Sequence, residues 1–528
     1  MTFIPYKEVL DLYDHGLEIP EDMTLVWAND NYGYIRRYPS EAEKKRKGGN
    51  GIYYHNSYWA PPSMSYVFLC SIPLAHTRNE LQKAWDEGIR KLWVLNSGAM
   101  KPLEQEITFF LRLAWEIGKK GALTEDVEAF VEDWVNRTFP AGKACGGAES
   151  LGKEVSRPWN DFSQLTNGRK VENMDYDAFS QTAYGDEAAV RIHRYEELFK
   201  RGNALYGELP REERDAFYQL ILMRIHAAYF TNLAYYYGDR STLMYDRGNM
   251  QAAALYTKKA REAEDGRRRM LHYYNNVMHG GKWRGILNPK GFPHPRDDMM
   301  PVCTPSMRVD IWNEGKEICF ATPGEKWIEI GNQGTGRFRV RLQAPRWAEL
   351  SQEQAVVQEE RRILIRVRDV TENRTGEILV ENLDDGSLKR IPVRTMAPGD
   401  MRDGSLGLAA ERCRDEGCAA QSGHEAETAS RPESGHGARA DWEPETTYAV
   451  EEDGLVALEA GRARPSGEFR LIPRLGRMQG SLAESRVRRE PEEIGAGQPL
   501  VYSFYTFSQG DFLLEIHRFP SLDSVGRL

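Results

Sequence analysis

The residues best equipped for chemistry fall in three short blocks near the start of the chain. The first is Trp27-Ala28-Asn29-Asp30-Asn31-Tyr32-Gly33-Tyr34-Ile35-Arg36-Arg37. It places a carboxylate, two amides, two phenols and two guanidinium groups directly after an apolar run. Asp30 and Asn31 can bind hydroxyls, the aromatic rings can stack on sugar faces, and Arg36 or Arg37 can pair with a carboxylate. Such a set suits a polyhydroxylated, acidic ligand. The same residues would also serve a polar loop between a strand and a helix, with Asp30 as a helix cap.

The second block, Gly51-Ile52-Tyr53-Tyr54-His55-Asn56-Ser57-Tyr58-Trp59, combines three Tyr, a His and a Trp. Tyr53, Tyr54 and His55 could form a sugar-stacking wall with a titratable group. Alternatively they form an aromatic core strand in which His55 bonds to backbone. The third is Asn96, at the end of the apolar run Leu92-Trp93-Val94-Leu95. Lys101 and Glu104 follow it and read as first-turn residues of a helix. A hydrolytic acid or base must be a carboxylate or a His with a shifted pKa. Asp30 and His55 qualify by position, whereas nothing in the composition around Glu8 sets it apart.

Positioning these groups requires strands that end where the polar residues begin. Pro5 to Gly16 reads as a short helix, and Thr24–Trp27 as a strand ending at Asn29. Further strands are expected up to His55, over Tyr66–Cys70 and over Leu92–Leu95, with helices from Arg78 to Gly88 and from Pro102 to Gly118. Short apolar strands separated by helices indicate a parallel α/β architecture, whose carboxyl edge collects the chemistry. Three or four strands are too few to close a barrel. From 123 to about 280 the pattern is helical. Within Glu213–Tyr237, Phe217, Ile221, Ile225 and Ala228 form one stripe, and Leu220, Met223, Ala227 and Phe230 another, as in a bundle. From about 308 the period becomes two, as in Arg337–Leu342 and Ile363–Arg368, which predicts antiparallel strands. Residues 398–441 lose all periodicity and read as a low-complexity linker or insertion. Strand character returns at Leu500–Tyr505 and Phe512–Ile516.

Composition excludes several classes. Lys and Arg number 70 against 79 Asp and Glu, a net charge of −9, so no basic stripe for nucleic acid is expected. Six Cys in 528 residues do not make a disulfide framework. Cys413 and Cys418 are too far apart for a CxxC pair, and no His pair completes a zinc site. No apolar run is long enough to span a membrane. The N-terminus has no signal-peptide pattern, so the compartment stays open. Lys44–Lys47 reads as a solvated loop, Arg267–Arg269 as a helix face, and Tyr235–Tyr237 as packing within the bundle. No P-loop, GxGxxG, GxSxG or HExxH pattern is present.

The three blocks, in their order and spacing, resemble glycoside hydrolase family 115, the xylan α-1,2-glucuronidases. Gly280-Gly281-Lys282-Trp283 is similar to the end of that family's helical domain, and Ile472-Pro473-Arg474-Leu475-Gly476-Arg477 to a motif of its C-terminal β domain. The resemblance implies a multidomain chain. Residues 1–122 would be the C-terminal part of a catalytic (β/α)8 barrel, and 123–307 a helical bundle. Residues 308–397 and 442–528 would be two parts of a β-sandwich-like region, separated by 398–441. It further implies a chain that begins inside the barrel and ends inside the last domain, with partner carboxylates upstream of residue 1. The implied reaction removes α-1,2-linked (4-O-methyl)-glucuronic acid side chains from xylan, with inversion and without a cofactor or metal. The implied partner is glucuronoxylan or its oligosaccharides, and a homodimer is left open.

By the same resemblance, Glu8 matches an essential glutamate and is the candidate general acid. Asn31, Asn96 and a Tyr of the Tyr53–Tyr58 block match pocket residues. Asn29 stands where the family often has Asp, and an amide cannot act as a base. The substrate-binding expectation covers Asp30, Asn31, Arg36, Tyr53, Tyr54, His55 and Asn96. The alternative is a carbohydrate-binding or scaffolding remnant that has lost catalysis.

Overall fold

The computed structural model describes residues 1–57, 69–120, 126–144, 150–288, 304–397, 402–408, 449–451, 455–463, 467–473, 481–485, 500–507, 513, 514 and 516. Four strands, β1 (Thr2–Phe3), β2 (Thr24–Ala28), β3 (Asn50–His55) and β4 (Ile89–Asn96), form a parallel sheet in chain order. Helices α1 (Glu8–Asp14), α2 (Glu41–Lys44) and α3 (Leu74–Asp86) lie in the connections, and α4 (Glu104–Lys120) follows β4. Parallel neighbours need such crossovers, so the alternation of element types dictates the sheet's direction. The two-residue β1 is too short to show a period, and it places α1 after a strand rather than before the first one. Helix α3 starts at Leu74, ahead of the expected Arg78, because Leu74, His76 and Thr77 are buried and His76 and Thr77 bond back to the Pro73 carbonyl. The strand expected over Tyr66–Cys70 lies outside the described residues except for Leu69 and Cys70, which are in no strand.

Strand periodicity divides the second block between two faces. Ile52 and Tyr54 are fully buried, in one core with Leu25, Trp27, Leu81 and Phe110. Tyr53 and His55 therefore face the other way. That core continues without a break into the helical region, through Phe109, Phe130, Trp159 and Phe217.

The helical region comprises α5 (Val127–Thr138), α6 (Leu151–Gly168), α7 (Glu187–Glu208), α8 (Arg211–Phe217), α9 (Met223–Asp246) and α10 (Met250–His272). A π-helical turn, Tyr218–Leu222, joins α8 to α9, so the expected helix runs on beyond Tyr237. Members of both of its stripes are buried, Phe217, Ile221 and Ile225 as well as Leu220, Met223 and Ala227. At Gly266 the α10 backbone comes so close to α9 that a Cβ would lie 2.5 Å from the Phe230 ring. Arg224, fully buried on α9, pairs with Glu106 of α4 and so ties the helices to the parallel sheet.

Two antiparallel-rich sheets follow. One contains β5 (Met307–Ile311), β7 (Gly324–Asn332), β11 (Glu360–Val367) and β9 (Glu349–Leu350) in the order β5-β7-β11-β9. The other contains β6 (Ile318–Phe320), β8 (Phe338–Gln343), β10 (Gln354–Val357), β12 (Arg374–Asn382) and β13 (Leu388–Thr395), in the order β10-β8-β12-β13-β6. Their inward residues share one core, with Ile328, Ile330, Ile363 and Ile365 from one sheet and Val340, Leu342, Ile378 and Val380 from the other. The alternation expected in Arg337–Leu342 is present, with Phe338, Val340 and Leu342 buried and Arg339 and Arg341 exposed. Buried charges join this region to α9. Arg240 pairs with Glu329 and Glu360, and Arg362 with Glu329 and Asp186.

Inside the expected linker, Arg402–Leu408 forms strand β14, which pairs antiparallel with β18 (Leu500–Thr506) and in a sheet with β15 (Ala449–Val450). Its ladder partner lies about a hundred residues away, so no local period reveals it; 409–441 lie outside the described residues. Strands β16 (Phe469–Pro473) and β17 (Ser481–Ser485) form a separate pair. Glu484 of β17 accepts from Asn79 of α3 at 3.1 Å and pairs with Lys83, docking this segment on the parallel-sheet region. Of the strand expected at Phe512–Ile516, Leu513, Leu514 and Ile516 are described and lie in no strand. No described helix is long and apolar enough to cross a membrane.

One buried acid in this fold titrates unusually. Asp239 of α9 lines a cavity with Arg191, Asn232 and Tyr235 and accepts a backbone bond from Asp177 at 3.1 Å. Burial, reinforced by the Asp177 and Asp175 charges, pushes its carboxyl up to about 7. The folded state therefore holds a proton that the unfolded chain has released. Its stabilisation is full below about pH 4 and is lost as pH rises through about 7. Asp239→Asn should remove this dependence, roughly 2–4 kcal/mol between those limits, in denaturant unfolding measured across the range. An unchanged slope would contradict the assignment.

Candidate active site

Each strand of the parallel sheet ends in polar residues on the same edge. Glu8 follows β1, the loop 29–37 follows β2, His55 closes β3 and Asn96 closes β4. The register sets Tyr53 beside Ala28 and Val94, and His55 opposite Asn96. Tyr53, His55 and Asn96 thus share one face at neighbouring strand ends. The Tyr53 and His55 rings lie 5.0 Å apart, and Tyr6 approaches His55 to 5.8 Å from the connection leading to Glu8. Glu8 itself is exposed, in the first turn of α1. Lys7 precedes it with φ 50°, a left-handed conformation rarely held by a non-glycine residue.

His55 is 7% exposed, and Asn29 is 1% exposed beside it. The Asn29 amide donates to the His55 carbonyl at 3.0 Å and accepts from the His55 N–H at 2.7 Å. The same amide oxygen lies 2.9 Å from ring Nδ1. Burial, with the Lys7 charge, pushes the imidazole down to about 4, so the ring is neutral at pH 7. Asn29, read from the sequence as a ligand at most, is a clamp between two strand ends. The signal was its place directly after an apolar strand.

Asp30 organises the loop. Its Oδ1 accepts from the backbone of Tyr32 and Tyr34, both at 2.9 Å, and its Oδ2 from Arg36 Nε at 2.7 Å. It caps no helix, because the next one after it starts only at Glu41. Asn31 is half-buried, and its amide makes no hydrogen bond to a described residue. Arg36 stays partly exposed above the Tyr34 ring. Arg37 leaves the edge altogether, stacking on Trp27 at 4.6 Å and pairing with Glu43 and Asp14. Against burial, the bonds from Arg37 and Ser40 hold Glu43 down at about 2. Tyr54 also lies apart from the others. It is fully buried, its ring stacks on Phe110 of α4, and its hydroxyl donates to the Gly33 carbonyl at 3.1 Å. Lys101 pairs with Glu104 at the start of α4, as expected for first-turn residues. Tyr58 and Trp59 lie outside the described residues.

Other supports come from distant sequence. Glu80 of α3 accepts the Ile35 N–H at 2.8 Å, and Asn173 donates to the Tyr32 hydroxyl at 3.0 Å. Separations of 45 and 141 residues leave no local signal for either.

Residues 1–173 match Glycosyl hydrolase family 115, and residues 449–527 match the Glycosyl hydrolase family 115 C-terminal domain. The chain belongs to family 115. No curated protein matches this family 115 chain. Among solved structures it is similar to a family GH115 4-O-methyl-alpha-glucuronidase with specificity for decorated arabinogalactans, at 23% identity and a TM-score of 0.46, over 75% of this chain and 57% of that one. A GH138 enzyme targeting pectin rhamnogalacturonan II is similar at 9% identity and a TM-score of 0.28, over 75% of this chain and 63% of that one. The family 115 chain thus spans less than two thirds of either structure. Among its described residues, no group of three His, Cys, Asp or Glu could hold a metal ion.

Asp30 gives the family 115 site its first stability test. Asp30→Ala removes two backbone bonds and an ion pair and should cost roughly 2–4 kcal/mol in denaturant unfolding. Asp30→Asn keeps an acceptor for both N–H groups and should cost less than half of that. Equal losses would show that the backbone bonds do not hold the loop.

Proposed function

We propose that this chain removes α-linked (4-O-methyl)-glucuronic acid side chains from xylan, with inversion at the anomeric carbon. The reading rests on one observation: in a family 115 chain, Glu8, Asn29, Asn31, Tyr53, His55 and Asn96 gather at the carboxyl edge of one parallel sheet. On this reading strands β1–β4 belong to a (β/α)8 barrel ending near residue 122. The helices to about 307 form its bundle, and the later strands belong to a sandwich-like domain.

Glu8 is the general acid. It is exposed at the edge and could deliver a proton to the leaving glycosidic oxygen. Inversion requires a base roughly 6.5–9.5 Å from the acid, with a water between base and sugar. Asn29 has no basic oxygen for that task, and Asp30 is committed to its loop. Tyr53 supplies a ring face, Asn31 and Asn96 bind hydroxyls, and Arg36 draws the uronate. A second reading, glycan binding without catalysis, is favoured by the same commitment of Asp30 and by the amide at position 29.

Chromatographic detection of released uronic acid tests both. The chain should liberate (4-O-methyl)-glucuronic acid from glucuronoxylan oligosaccharides, and decorated arabinogalactan fragments serve as the competing substrate because a solved family member is described as specific for them. Glu8→Gln should lower kcat about 10²–10⁴-fold. Tyr53→Ala should chiefly raise KM, and Tyr54→Phe should leave both within about twofold, as expected for a residue behind the sheet. Release at the wild-type rate by Glu8→Gln would remove Glu8 from the mechanism. Glycan binding without release, persisting in Glu8→Ala, would establish the second reading instead.

A further inference from the structure

We infer that Asn29 is a positioning residue that holds His55 in a single tautomer, with the proton on Nδ1 and the lone pair on Nε2, so that the ligand meets a neutral hydrogen-bond acceptor there. The identity of the ligand rests on the glucuronidase reading; the tautomer does not.

The partners of the Asn29 amide fix its direction. Its two ends engage the N–H and the carbonyl of the same residue, at 2.7 and 3.0 Å. A backbone N–H can only donate and a carbonyl can only accept, so the oxygen must face the N–H and the nitrogen the carbonyl. Reversing the amide would set donor against donor and acceptor against acceptor. This removes the usual ambiguity of amide orientation. Ring Nδ1 lies 2.9 Å from that same oxygen. The oxygen carries no hydrogen, so the contact is a bond only when Nδ1 supplies one. In a neutral ring Nε2 then keeps the lone pair.

The surroundings favour the neutral ring. Among the described residues, Tyr6 and Tyr53 contact it, Asn96 stands opposite in the β-register, Asn29 bonds it, and the charge that acts on it is the cation of Lys7. A carboxylate in place of the Asn29 amide would keep the Nδ1 bond and stabilise the imidazolium. The amide keeps the orientation and omits the charge. His55 can therefore accept a hydrogen bond from a sugar hydroxyl, while the attraction of an acidic sugar falls to cationic side chains such as Lys7 and Arg36.

The test is nitrogen-15 NMR of the full chain labelled at histidine, with the His55 signals assigned by their loss in His55→Gln. At pH 7 the wild-type ring should show a protonated Nδ1 and an unprotonated Nε2, and should stay neutral down to about pH 5. Asn29→Asp should keep that tautomer and raise the midpoint by about 1–3 pH units, the effect of an opposite charge at contact distance. Asn29→Leu removes the acceptor and should let the Nε2-protonated form appear. Unchanged signals from the other histidines report that the variants are folded. A wild-type ring protonated on Nε2, or an Asn29→Asp midpoint equal to wild type, would overturn the inference. Should Asn29→Asp not fold, the wild-type tautomer alone decides. A chain that shows this tautomer yet releases no uronic acid would sink the glucuronidase reading and leave the role of Asn29 standing.

Discussion

At the carboxyl end of β2 the chain must leave the sheet, and the Asn29 amide controls how it does so. By taking both backbone groups of His55 it continues the sheet's hydrogen bonding for one step beyond Ala28. The loop then has a fixed origin, on which Asp30 folds the turn through Tyr32, Tyr34 and Arg36. From behind the sheet, the Tyr54 hydroxyl holds the same turn at the Gly33 carbonyl. Gly33 has φ 92°, and a Cβ there would lie 2.8 Å from Ile72, so the turn has no room for a side chain. Unpaired amides and carbonyls at a buried strand end are costly. The polar edge is arranged first to satisfy its own backbone and only then to present side chains.

Rigidity reaches this edge from the helices. The sheet and the helical region share one core, and the buried Arg224–Glu106 pair crosses between them. Removing one partner of such a pair strands a charge and typically costs about 3–5 kcal/mol. The Arg240, Arg362, Glu329 and Glu360 cluster joins α9 to the β-sheets in the same way. The shared apolar core fixes the helices to the parallel sheet, and the buried charges fix them to the β-strands that follow. Asn173 shows the consequence for the site, since it reaches from the helical region to the Tyr32 hydroxyl.

What could be read from sequence depended on the range of the interaction. The strand ends at Asn29, His55 and Asn96 were legible because apolar runs stop there, and Lys101 and Glu104 were legible as first-turn residues. Tyr53, Tyr54 and His55 formed a single aromatic block in the sequence, but a period of two sends Tyr54 into the core. The His55 ring bonds to the Asn29 side chain rather than to backbone, and it lies on the polar face with Tyr53. Glu8 offered no compositional cue, because the two residues of β1 that put it on the edge are too few to recognise as a strand. Arg36 and Arg37 were equivalent by type, and only the packing of Trp27 and Glu43 draws Arg37 to the other side. Strand β14 was hidden for a different reason: its ladder partner, β18, comes from about a hundred residues further along the chain.

On the proposed reading an acidic sugar lies on the Tyr53–His55–Asn96 face of the parallel sheet. A crystal structure of the chain soaked with glucuronic acid tests it most directly. The sugar should sit against the Tyr53 ring, with hydroxyls in hydrogen-bond reach of His55 Nε2 and Asn96 and its carboxylate towards Lys7 or Arg36. A sugar bound instead in the helical cavity beside Arg191 and Asp239, or a strand edge left empty at saturating sugar, would contradict it.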